Sequence, residues 1–559
     1  MESSSIFINH SPLQSRPQRS FLRQPFSDLT NADQTLFERF GQGPLVAVSY
    51  SCIHHAFEDH ARQQPGAIAA IHGDQQITYR ELNEAADRLA IQLIAHGVNR
   101  GDHVGLFLER SIPMLVGILG ALKAGAAYVP QDARITPAPQ LLHVMTAART
   151  RVVLTLSHLN HFIPTSSPNQ EMNQPVLINL DEFLAQIEPS SKIAYVLDGV
   201  AQRRQLSNEQ DTCFVLFTSG TTGRPNGVQV SHQNLCNILL TDPGSLGMRP
   251  GRRVSQILNI AFDMAAWEIL GALSHGATLV IRGKDIQATV EAVDVVVATP
   301  SILGALDATR CRAVKAVAVA GEPCPRPLAD QWSEFATFYN SCGPTEVTIV
   351  NSMQAYSMAS EALTIGKPTP NNTVYILNEN HRPCTIGEIG EMWAGGDCVS
   401  KGYLSNDELN SDRYRPDPFL GGGRKMFRTR DLGRWTRNGE LEHFGRTDDQ
   451  VKIRGFRVEL DSVSGALESV PACVQAVTLK LDSRTLVAFV RPAAVDITSC
   501  KTAVAALLPY YCAPSIIMPL KDFPMTSRGK VDKRALTILA VKELEKLAET
   551  LVQTEEVPS

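Results

Sequence analysis

The segment that most constrains this chain is an apolar run, Cys213-Phe214-Val215-Leu216, opening into Phe217-Thr218-Ser219-Gly220-Thr221-Thr222-Gly223-Arg224-Pro225-Asn226-Gly227. A strand that feeds a loop of glycines and hydroxyl side chains suits a polyphosphate. The glycines let backbone N–H groups approach the oxyanions, and Ser and Thr add donors. A Walker A loop would close on Gly-Lys-Ser/Thr; this one closes on Pro-Asn-Gly, so it is not an ordinary P-loop. The surrounding pattern is α/β. Residues 104–108, 278–281, 293–298 and 314–320 read as strands, apolar throughout, and predict sheets covered on both faces. Met114, Leu115, Ile118, Leu119 and Leu122 share one face at helical spacing.

Length and composition set the limits. At 559 residues the chain holds roughly three to four domain equivalents, or one large two-lobed enzyme. Its 43% hydrophobic and 19% charged residues are those of a globular protein. A net charge of −5 gives no electrostatic footprint for nucleic acid or an anionic membrane. The longest nearly unbroken apolar stretch, residues 112–122, falls short of the roughly 20 residues of a spanning helix. Met1-Glu2-Ser3-Ser4-Ser5 lacks the basic start and apolar core of a secretory signal. Eleven scattered cysteines, never spaced as CxxC, predict reduced thiols and a cytoplasmic protein. Residues 1–50 are rich in Ser, Gln, Arg and Pro without a persistent period and read as a linker or arm. Residues 51–447 read as the main lobe and 448–559 as a smaller α+β lobe. The small lobe opens on residues 450–460, which alternate around Gly455 as a half-exposed hairpin, and residues 541–551 read as an amphipathic helix.

From about residue 50 to 535 the chain resembles the adenylate-forming superfamily, which includes acyl-CoA synthetases, luciferases and nonribosomal peptide synthetase adenylation domains. The loop above is very similar to the family's signature, and the other motifs arrive in family order. They are Ile77-Thr78-Tyr79-Arg80-Glu81-Leu82, Leu122-Lys123-Ala124-Gly125-Ala126-Ala127-Tyr128-Val129-Pro130 (typical of the peptide-synthetase branch) and Asn340-Ser341-Cys342-Gly343-Pro344-Thr345-Glu346. Lys401-Gly402-Tyr403-Leu404, Arg428-Thr429-Arg430-Asp431-Leu432-Gly433, residues 445–459, Leu508-Pro509-Tyr510-Tyr511 and Arg528-Gly529-Lys530-Val531-Asp532 complete the set. The resemblance implies a large N-terminal lobe of stacked αβ sheets plus a distorted barrel, and a small mobile C-terminal lobe.

It also implies the reaction: a carboxylate attacks the α-phosphate of ATP with Mg²⁺, leaving acyl-AMP, and the acyl group then passes to a thiol. Both reactants are anions, so charge neutralisation and alignment dominate. By resemblance, Thr218, Ser219, Gly220, Thr221, Thr222 and Gly223 hold the β- and γ-phosphates, and Glu346 is the metal ligand. Thr345 and Thr221 bond the α-phosphate and its metal shell. Asp431 takes the ribose hydroxyls with help from Arg446. Asn340 reads the adenine amino group beside Cys342, and Lys530 bridges the substrate carboxylate and the α-phosphate. Asp448 has the place of the hinge, and the hairpin around Gly455 would face a pantetheine tunnel.

Phe262-Asp263-Met264-Ala265-Ala266-Trp267-Glu268 resembles the opening of an amino-acid pocket. A carboxylate on an apolar segment needs a partner, for which a substrate α-ammonium serves; Asp263 is read as that amine anchor, with capping of the following helix as the alternative. The implied lining is Asp263, Met264, Trp267, Val297, Ala318, Ala320, Ser341, Ile349, Val350 and Lys530: small or aliphatic beyond the anchor and Trp267. That suits a large α-amino acid without a charged tip. The style of the chain resembles fungal siderophore synthetases and suggests an N-acyl-N-hydroxyornithine, with large hydrophobic or aromatic amino acids as alternatives. Asn226, Cys342 and Arg430 stand where the family usually has Lys, an aromatic residue and Gly. The chain holds no phosphopantetheine site and reads as one domain, monomeric when excised, of a larger synthetase. Carrier and condensation domains, with a phosphopantetheine arm, would be its partners. Two rival readings are an acyl-CoA ligase and a weakly active docking module.

Overall fold

The computed structural model describes residues 28–164, 174–186, 207–220, 224–453, 455–526 and 531–555, with side chains up to 546. Two large sheets form the main lobe. One has nine strands, the central ones parallel, in the order Ser352–Tyr356, Thr337–Cys342, Ala316–Val319, Val295–Ala298, Arg253–Gln256, Thr278–Ile281 and Ile68–His72, with Lys367–Pro368 and Gln75–Thr78 at the edges. The other has seven strands, with Thr212–Thr218 lying between Asn226–Ser231 and Ala127–Gln131. Val295–Ala298 and Ala316–Val319 are buried along their whole length, as an apolar run in a sheet covered on both faces requires. Helix Ile112–Lys123 starts where Ser111 accepts the Met114 amide, and helix Tyr79–Ala95 starts at a Thr78/Glu81 capping box. Lys123 is buried at the end of its helix because it pairs with Glu58 at 2.7 Å and Asp87 at 2.8 Å.

The third sheet is antiparallel and has five strands. Its long strand, Lys425–Trp435, pairs with Gly390–Gly396, Tyr414–Pro416 and Leu441–Arg446. The arm predicted over residues 1–50 differs in its second half: Asn31–Gly41 is a helix capped by Thr30. Phe37 packs on Tyr375 and Phe419, and Phe40 on Trp435, so this segment covers the third sheet of its own chain. Residues 1–27 lie outside the described residues.

The small lobe begins with the hairpin Gln450–Ile453/Phe456–Glu459 and continues through helix Leu460–Glu468 to a three-stranded sheet, Gln475–Lys480, Leu486–Arg491 and Ile516–Pro519. The expected tail helix is longer than its apolar period and spans Lys533–Glu555. All eleven cysteines are free, and among the described residues no helix is long and apolar enough to cross a membrane.

Candidate active site

The site lies beyond the C-terminal ends of the parallel strands, where open α/β sheets place their ligands. Strand Thr212–Thr218 leaves its sheet and returns antiparallel as Asn226–Ser231, so a hairpin loop replaces the strand–loop–helix of a P-loop. Gly220 is required by close packing, since a Cβ there would sit 2.4 Å from the Arg224 carbonyl oxygen. Thr221, Thr222 and Gly223 lie outside the described residues.

Facing this loop is Glu346, in a short turn after strand Thr337–Cys342, with no exposed surface. Burial alone would raise its carboxyl, but Arg457, Arg413 and the Tyr403 hydroxyl hold it below the usual carboxylate range. Tyr403 donates to it at 2.7 Å and the Arg457 guanidinium at 3.0 and 3.2 Å. Arg457 belongs to the small-lobe hairpin. The same hairpin reaches the phosphate loop, where Ser219 Oγ donates to the Arg457 carbonyl at 3.2 Å, and the following helix Leu460–Glu468 reaches it too, Ser462 Oγ donating to the Gly220 carbonyl at 2.6 Å. Among the described residues no group of three or more His, Cys, Asp or Glu could hold a metal. Glu346 is thus a single hard donor, which suits a Mg²⁺ whose other oxygens come from phosphate and water.

A cleft beside Glu346 is lined by Cys342, Gly343, Pro344, Asn351, Thr429 and Asp431. Asp431 is buried, yet His443 and Arg446, with Lys452 nearby, hold its carboxyl below its ordinary value. Arg446 Nη1 donates to it at 2.8 Å, and the two oxygens of this ionised carboxylate suit a vicinal diol. Asn340 is buried and donates its amide nitrogen to the Thr364 carbonyl at 2.6 Å. Cys342 gives the cleft a thiol wall in place of a ring. Asn226, the loop position expected to carry Lys, accepts a hydrogen bond from Asn406 at 3.0 Å.

Asp263 opens helix Asp263–Ser274 and accepts the Met264 amide at 2.8 Å, so it serves the helix start as well as facing the site. Burial pushes its carboxyl up to about 6, against the pull of a Thr345 hydrogen bond and of Lys452. Thr345 belongs to the turn that carries Glu346, so Asp263 lies near that turn. Val297, Ala318, Ala320, Ile349 and Val350 are essentially fully buried, and Ser341 and Met264 nearly so. Val297 and Ala318 are register partners on adjacent strands, and Met264 approaches Gly321 just beyond them. Trp267 is completely buried with its indole N–H donated to the Gly244 carbonyl at 2.7 Å, an anchor of the helix.

Asp448 lies in the three-residue link between strand Leu441–Arg446 and the small lobe, held by Arg446 at 2.7 and 3.0 Å. Lys530 lies outside the described residues. Sequence reasoning missed Arg457, Lys452, Tyr403 and His443. Tyr403 stood in the motif Lys401-Gly402-Tyr403-Leu404, and Arg457 and Lys452 stood as cations within the alternating hairpin; His443 left no signal.

A two-lobed α/β chain with a glycine- and hydroxyl-rich hairpin loop and two buried carboxylates, Glu346 and Asp431, held below their ordinary values has the architecture of an adenylate-forming enzyme. The family model described as "AMP-binding enzyme" matches residues 57–404, and the chain belongs to that family. It is 44% identical over 518 residues to adenylate-forming reductase 06235 of Coprinopsis cinerea, covering 92% of this chain and 49% of that protein. It is 34% identical over 498 residues to the nonribosomal peptide synthetase aclP of Aspergillus oryzae, covering 87% of this chain and 29% of the synthetase. Among solved structures, an artificially fused adenylation–PCP di-domain from Klebsiella oxytoca matches with TM-score 0.72 at 23% identity, over 84% of this chain and 93% of that one. A four-domain nonribosomal peptide synthetase bound to AMP and glycine matches with TM-score 0.63 at 27% identity, over 90% of this chain and 37% of that one. The chain spans about half the length of the Coprinopsis relative.

Proposed function

We propose that this chain activates a large α-amino acid as its aminoacyl-AMP, with release of pyrophosphate, and then passes the acyl group to a phosphopantetheine thiol on a carrier domain. The observation that carries this reading is the buried Asp263 carboxyl near Thr345, the residue before Glu346, with Gly343 and Pro344 of the same segment lining the cleft of Asp431. An ammonium held at Asp263 brings its own carboxylate toward the carboxylate that would hold the metal. Glu346 supplies that donor, and bound Mg²⁺ would neutralise phosphate charge. Asp431 and Arg446 fix the ribose end, and Ser219 and Gly220 take the outer phosphates. Lys530 completes the charge neutralisation. The docked hairpin supports a second arrangement for thiol transfer: Arg457 covers Glu346, and Gly455 packs against Thr299 where a Cβ would come within 2.6 Å.

The stronger likeness to an adenylate-forming reductase than to a peptide synthetase, 44% against 34% identity, supports reduction over peptide-bond formation as the fate of the carrier-bound acyl group. N-acyl-N-hydroxyornithine remains a narrower candidate substrate, beside large hydrophobic and aromatic amino acids. ATP–pyrophosphate exchange with an acid panel tests the reading. Exchange dependent on one α-amino acid class supports it. Exchange confined to acids without an α-amine would reject the role of Asp263, and none with any acid would favour a docking module.

A further inference from the structure

Arg430 has a backbone φ of +64°, in the left-handed region that side chains rarely adopt and glycine adopts freely. A long side chain at such a position calls for a compensating contact. The contacts present connect the link between the lobes to a helix of the main lobe. The Arg430 carbonyl accepts the Thr447 amide at 2.9 Å and the Thr447 hydroxyl at 3.2 Å. The guanidinium donates to Asp412 at 3.0 Å, on helix Asp407–Arg413 of the main lobe, and lies 3.8 Å from the Asp448 carboxylate. Asp448 is also held by Arg446, and Asp412 stands 3.9 Å from Arg428, itself paired with Glu391. Residues 447–449 join the last strand of the third sheet to the first strand of the small lobe. Arg430 thus grips this link with backbone and side chain together, one residue before Asp431.

We propose that Arg430 is a positioning residue, a latch that holds the link in the observed arrangement, with the small-lobe hairpin seated on Ser219 and Glu346 and the helix after it on Gly220. The proposal deepens the reading that the small lobe serves two half-reactions from two positions. Arg446 touches Asp431 as well as Asp448, so its loss would disturb the nucleotide cleft. Arg430 touches only the link and Asp412 among the contacts described, so it biases the position of the lobe without lining the cleft.

Two measurements test the latch on the whole chain. The first uses fluorophores attached through azide-bearing side chains at Lys284 and Lys501, both exposed, one on each lobe, and reads the distance distribution without any substrate. Arg430→Gly, which keeps the left-handed backbone and removes the side chain, should lower the docked-to-undocked ratio roughly two- to fivefold, the range for a half-exposed ion pair. Asp412→Asn, which leaves the backbone of residue 430 untouched, should move the distribution the same way. Arg430→Lys should restore part of the shift. The second compares half-reactions, where Arg430→Gly should lower the ratio of thiol transfer to exchange by a similar factor. Distributions unchanged in both Arg430→Gly and Asp412→Asn would overturn the proposal. So would a shift in Arg430→Gly alone, which would assign the effect to backbone relaxation. The distance measurement needs no turnover, so it judges the latch even if no amino acid supports exchange.

Discussion

Asp263 shows how one residue can be expensive for the fold and useful for binding. Its carboxyl is raised from 3.8 to about 6 because burial disfavours the charge more than Thr345 and Lys452 favour it. A raised value means that the stability from this group is fully present below about 3.8 and lost as pH rises through about 6. Asp263→Asn should therefore stabilise the unliganded protein at pH 7.5 by up to about 3 kcal/mol and have much less effect near pH 4. Denaturant midpoints at the two pH values measure this. The same substitution removes the charge that would meet an α-ammonium, and amino-acid-dependent exchange should fall by about a hundredfold or more. In the native chain, kcat/KM for the amino acid should decline as pH drops through about 6, and Asp263→Asn should flatten that limb. A profile unchanged by the substitution would remove Asp263 from amine binding.

At the scale of elements, the hairpin Gln450–Ile453/Phe456–Glu459 is where local structure becomes a contact between lobes. Gly455 has φ +82°, and a Cβ there would lie 2.6 Å from Thr299 Cγ2. Gly455→Ala is thus both strained and obstructed in the docked position. It should reduce thiol transfer by tenfold or more and exchange far less, a split that separate half-reaction assays measure; equal losses would show a folding defect. The alternation around Gly455 made this hairpin legible in the sequence, as glycine and hydroxyl residues did for the phosphate loop. The docking of the hairpin was not legible, because Arg457 meets Glu346 across 111 residues and period-two alternation says nothing of partners so distant. The helix Asn31–Gly41 was missed for a related reason. Its buried contacts come from Phe37 among mostly polar neighbours, and it is fixed by packing on Tyr375 and Phe419 rather than by a local period. Asp263, by contrast, was visible as a lone charge on an apolar segment.

Across the whole molecule, the pairing of Arg457 with Glu346 connects the position of the small lobe to the state of the site. A fully buried carboxylate left without a cation is costly, so Glu346 needs either the guanidinium or another positive charge. The hairpin and a metal-bound nucleotide thus compete for one carboxylate, and the hairpin also engages Ser219 in the phosphate loop while the helix after it engages Gly220. Adding ATP with Mg²⁺ should release the hairpin and accelerate amide hydrogen exchange across residues 450–459, whereas AMP without metal should do so much less. In Arg457→Ala the hairpin should already exchange fast, with little further response to nucleotide, and apparent affinity for ATP with Mg²⁺ should rise because a competitor is gone. If exchange in residues 450–459 is as slow with saturating ATP and Mg²⁺ as without them, guanidinium and metal do not compete for Glu346. The two lobes would then keep one arrangement through both half-reactions.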